Sequence, residues 1–145
     1  MKKIIYTIIA IMQIAIIVGS FIIQYLTNIK AGVMHHVYFK RYVFENGIFS
    51  NSNIKIESNI LIVISLILLI FSIYIFLNKK NMKFLKIQLL IAIVVALSLY
   101  IIINSNYFIS KLAYHYFIIA FASTLGIQII IIFLNYVSNL IKNKI

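Results

Sequence analysis

The chain has 145 residues, 64% of them hydrophobic, and a formal net charge of +11 from 13 Lys and Arg against two acids. Its mean hydropathy of +1.11 is more than a soluble domain can hide, since such domains are roughly 45–50% apolar. One lipid-immersed domain is therefore expected. The absence of cysteine removes disulfides, thiolate catalysis and cysteine-ligated metal, and lysines set beside apolar runs, without base-reading neighbours, argue against nucleic acid.

A membrane-spanning helix needs about 20 predominantly apolar residues. The first candidate covers residues 4–26, after Lys2 and Lys3. It is longer than the apolar region of a signal peptide and no A-x-A-like site closes it, so a retained span is expected. Gln13, Ser20 and Gln24 recur at i, i+7 and i+11, on one face of that helix.

Residues 27–58 form the one long segment outside the apolar runs. Asn46-Gly47 is a two-residue hairpin signal, because both turn positions of a type I′ turn need positive φ. A hairpin turning there pairs Phe44 with Phe49, Phe39 with Ile54, Val37 with Ile56, His36 with Glu57 and Tyr38 with Lys55, contacts of the kind that stabilise paired strands. The competing structure is an amphipathic helix over about 31–45 in the lipid interface. In either form the segment reads as a small folded cap, with Tyr38, Tyr42, Phe44 and Phe49 offered to a membrane or extracellular protein partner. His35, His36 and His115 lack metal-ligand spacing, and adjacent histidines on a strand point apart. A zinc or copper site drawing on His36, His115 and Glu57 is an alternative only, and no metal or other cofactor is expected. Lys111 and His115, at i and i+4, are expected to snorkel to the interface.

The second and third spans cover residues 59–77 and 85–103, joined by the basic loop 78–84. Lys79, Lys80, Lys83 and Lys86 read as contacts for anionic lipid headgroups. The fourth span covers 107–137, with its apolar centre at 116–134. On it Ala122 and Gly126 form a small-xxx-small pair, and Thr124 and Gln128 mark a neighbouring ridge. Gln13 and Gln128 are expected to meet as interhelical hydrogen-bond partners.

Lys and Arg near span ends set orientation. Lys2, Lys3, Lys79, Lys80, Lys83, Lys86, Lys142 and Lys144 lie on one side, against Lys30, Lys40, Arg41, Lys55 and Lys111 on the other. Both termini should be cytoplasmic, in a cell membrane, with 27–58 extracellular. Usage rich in Ile, Asn and Lys fits an AT-rich bacterial genome.

No Asp, Glu, Lys, Arg or His falls mid-span, and intramembrane ionisable groups are what usually mark proton and ion routes. A proton-coupled exporter and an intramembrane hydrolase are both disfavoured. The expectation is an all-α, four-transmembrane-helix bundle without catalytic residues, acting as an accessory, scaffold or immunity-type subunit. The alternatives are a small homo-oligomeric transporter or channel and a metal-binding sensor.

Overall fold

The computed structural model describes residues 2–78 and 82–142. They form six helices: α1 (Lys2–Ile29), α2 (Ala31–Glu45), α3 (Asn51–Asn78), α4 (Lys83–Asn104), the single turn α5 (Asn106–Ile109) and α6 (Tyr114–Lys142). Four of them, α1, α3, α4 and α6, are long and apolar enough to cross a membrane. In lipid every backbone polar group must find its partner inside the protein, and a helix achieves this within itself. That arrangement is compatible with a membrane helical bundle.

The four long helices pack in the spatial order α3–α4–α6–α1. Partners such as Tyr6 with Asn135 and Gln13 with Gln128 show α1 running antiparallel to α6. Leu85, Leu89, Ala92, Ala96 and Leu99 of α4 and Phe117, Leu125 and Ile132 of α6 lie in the buried core. The most apolar stretch of α6 is 44% buried inside the protein and that of α1 only 6%. The first helix is therefore attached along a narrow seam.

That seam is polar. Tyr6 donates to Asn135 Oδ1 at 2.9 Å, and Gln13 Nε2 to Gln128 Oε1 at 3.2 Å and the Thr124 carbonyl at 3.3 Å. Gln128 Nε2 in turn donates to the Gln88 carbonyl at 3.0 Å and to Gln88 Oε1, so one amide joins α1, α6 and α4. Ser20 is buried and donates within its own helix to the Ile17 carbonyl. Gln24 Oε1 accepts from the Ala113 N–H at 3.1 Å, filling one of the donors that the start of α6 leaves orphaned. Lipid tails compete with apolar packing but not with these bonds, which is why polar residues concentrate where α1 is held.

The sequence expectation of a β-hairpin is corrected: no strand occurs among the described residues, and 31–45 is helix. Asn46 is the C-cap of α2 at φ −87°, ψ 0°, and none of the described residues takes positive φ, so the type I′ turn is not made. An isolated hairpin would leave two edges of unpaired backbone groups, whereas α2 pairs them internally. Gly47 fits for a different reason: a Cβ there would sit 3.0 Å from the Val43 carbonyl oxygen, a tight contact. Phe44 and Phe49 do meet, at 5.6 Å between ring centroids, but across this helix-ending turn. Residues 51–53, poor strand material, open α3 instead.

Two further elements differ from the sequence pattern. The helical run expected from about 107 is broken, and α6 starts at Tyr114 after a turn at 110–113. Gly126 faces open surface, whereas Ala122, though exposed, borders a groove with Leu61 of α3 and Leu99 and Ile103 of α4.

Candidate functional site

The site lies at the end of the bundle that carries α2. Lys30 is the single residue between α1 and α2, in extended conformation. This break turns α2 onto the α5–α6 junction. Val37 is buried to 2% exposure, with Val33 partly buried beside it. One turn further, Arg41 makes the attachment specific. Its Nη1 donates to the Lys111 carbonyl at 2.9 Å, its Nη2 to the Ile109 carbonyl at 3.2 Å, and its Nε to Glu45 Oε1 at 2.7 Å. Both carbonyls sit in the turn joining α5 to α6, where the Lys111 carbonyl also accepts from the Tyr114 N–H at 3.2 Å, and a planar guanidinium can reach both at once.

Beneath α2 sits His115. Its side chain is 1% exposed, and neither ring nitrogen finds a hydrogen-bond partner among the described residues. The expectation that it snorkels to the interface is therefore corrected. The imidazole serves as a flat body among rings, with centroids 5.0 Å from Tyr114, 5.5 Å from Phe49 and 5.7 Å from Phe44. Each unpaired buried nitrogen costs about 1–3 kcal/mol, which the aromatic packing offsets only in part, at about 0.5–1.5 kcal/mol per pair. Lys111, the other residue expected to snorkel, places Nζ 4.5 Å from the centre of the Tyr107 ring. A cavity of about 350 Å³ beside His115 is bordered by Arg41, Glu45, Asn51, Lys55 and Tyr114.

The four aromatic residues expected to face a partner divide into two pairs. Phe44 and Phe49 are half-buried against His115. Tyr38 and Tyr42, one helical turn apart, are 65% and 64% exposed, and Phe39, which the sequence reading did not single out as partner-facing, is 60% exposed beside them. A helical wheel would have separated the pairs, because Val37, Arg41 and Phe44 share one face and Tyr38 and Tyr42 another.

The remaining candidates are distributed along the bundle. His35 and His36 are exposed on α2, and no group of three His, Asp or Glu that could hold a metal ion occurs among the described residues. At the opposite end Lys83 is exposed, while Lys86 donates to the Phe76 carbonyl at 3.5 Å and lies 4.9 Å from the centre of its ring. Lys79 and Lys80 lie outside the described residues. Gln13, Gln24, Thr124 and Gln128 belong to the seam between α1 and α6. Gln88, a polar residue of the third span expected to help hold the spans together, completes it with Tyr6, which was not foreseen as a member although Tyr6, Gln13, Ser20 and Thr27 follow at intervals of seven. No protein-family model, curated protein or solved structure matches the chain, so the functional reading rests on this geometry.

Proposed function

We propose that the chain is a non-catalytic multi-pass protein of a bacterial cell membrane, with both termini cytoplasmic, and that it acts as an accessory, scaffold or immunity-type subunit by presenting α2 to a partner protein outside the cell. The observation that carries this reading is the exposure of Tyr38, Phe39 and Tyr42 on a helix whose other face Arg41 clamps in place. Aromatic side chains on a rigid element lose little entropy when they are covered, which is why Tyr is enriched among residues that dominate binding energy. The lysine asymmetry between the two ends supports the orientation. The intramembrane glutamines satisfy one another, which favours packing over a solute route.

The test is a photoreactive residue in place of Tyr42, activated in native membranes. One discrete protein adduct is expected, and Tyr38→Ser should weaken its formation by about tenfold or more, the effect of losing a residue worth about 1.4 kcal/mol at an interface. Adducts to lipid alone would remove the proposal.

A further inference from the structure

A second site adjoins the cavity beside His115, sharing Ile54 and Lys55 with it, and lies in the groove between α3 and α4. Lys55, Ser58 and Asn59 of α3 and Tyr100 and Asn104 of α4 border a hollow of about 330 Å³. Directly along the groove, sharing Ile62 and Tyr100 with it, a second hollow of about 150 Å³ is bordered by Leu61, Ser65, Ala96 and Leu97. The first is polar and the second apolar. Small side chains at Ser65 and Ala96 create the lower hollow, and the seven-residue step from Ser58 to Ser65 gives the groove a length of about 10 Å at the helical rise of 1.5 Å per residue.

The upper hollow is a donor site. Lys55 is exposed and has no hydrogen-bond or ion-pair partner among the described residues. Asn104 Nδ2 donates to Ser58 Oγ at 3.1 Å and to the Tyr100 carbonyl at 2.9 Å. Because Ser58 Oγ accepts from Asn104, its own proton is free to be donated. The Asn59 amide and the Tyr100 hydroxyl add further donors, and no carboxylate borders this hollow. Glu57 borders a different groove, and Glu45 is engaged by Arg41.

The geometry points to a bound phospholipid with an anionic headgroup: the phosphate is held by Lys55 and the Ser58 hydroxyl, and one acyl chain lies in the groove past Ile62 and Ser65. The apolar lower hollow selects a lipid over a free phosphate, because a phosphate alone leaves it unfilled. This site is separate from the α2 face, and its ligand is not the partner of that face.

Native mass spectrometry of the full chain in detergent tests it, with phosphatidylglycerol, phosphatidylcholine and glycerol 3-phosphate as probes. One phosphatidylglycerol per chain is expected, preferred over phosphatidylcholine by about fivefold, the factor that corresponds to roughly 1 kcal/mol per lysine at a lipid surface. Lys55→Gln should remove that preference, whereas Lys30→Gln, at an exposed lysine that borders neither hollow, should leave it intact. Ser65→Phe fills the lower hollow without altering charge and should weaken both phospholipids while leaving any binding of glycerol 3-phosphate unchanged; if that variant does not fold, Lys55→Gln decides. Equal binding of the two lipids, or an equal loss in Lys30→Gln, would overturn the assignment. Displacement of the lipid by glycerol 3-phosphate would also overturn it, by making free phosphate the ligand.

Discussion

Arg41→Ala is expected to release α2 from the bundle while leaving the four long helices assembled. The guanidinium makes two bonds to the Ile109 and Lys111 carbonyls and one to Glu45. Hydrogen bonds from charged groups contribute about 1.5–3 kcal/mol each when well shielded, and partial exposure of this side chain reduces that. A loss of about 2–4 kcal/mol in the local docking of α2 follows from the two carbonyl bonds. The ion pair with Glu45 contributes far less, because the Glu45 side chain is 46% exposed and exposed pairs are worth about 0–1 kcal/mol. Glu45→Gln should therefore leave α2 docked, and Arg41→Lys should recover only part of the loss, since an ammonium cannot fork between two carbonyls. Labelling of a cysteine placed at Phe44 reports the outcome. Reactivity in the Arg41→Ala background equal to that in the parent would show that Val37 and the aromatic cluster hold α2 without the clamp.

Gln128→Leu is expected to loosen α1 more than any other single substitution in the spans. The Gln128 side chain is 1% exposed and bonds Gln13 on one side and Gln88 on the other. An interhelical hydrogen bond in a membrane averages about 0.6 kcal/mol and reaches about 1.7, so loss of the node should cost about 1–3 kcal/mol. Leucine preserves the volume, which separates the effect from a packing cavity. Since α1 has little other buried surface, the cost falls on its contact with α6. Gln13→Leu should reproduce most of the loosening of α1 and leave the α4–α6 contact intact. A detergent melting temperature unchanged in Gln128→Leu would mean that apolar contact alone holds α1.

The number of long apolar helices was legible because length and apolarity suffice to define such runs. The polar face of α1 was partly legible for the same kind of reason, since Gln13, Ser20 and Gln24 stand out against an apolar run. Its partners were not, where they are main-chain groups: nothing in the residue types marks the Ala113 N–H as the donor to Gln24 Oε1, or the Ile109 and Lys111 carbonyls as the seat of Arg41. The α2 segment was misread because Asn-Gly ends a helix as readily as it turns a hairpin, and a run of aromatic and β-branched residues carries no period that separates the two. Which aromatic residues face outward then followed from the helix and not from the residues themselves, since strand alternation would have grouped Tyr38, Tyr42 and Phe44 on one face.

The central claim is that 31–45 forms a helix with one face docked and the other presented beyond the membrane. Because the chain has no cysteine of its own, single cysteines placed in turn along this segment can be labelled with a membrane-impermeant maleimide on intact cells. Fast labelling at 38, 39 and 42, with protection at 33, 37 and 44, is the predicted pattern. Alternation at every second residue, uniform reactivity, or labelling only after the membrane is opened would contradict it.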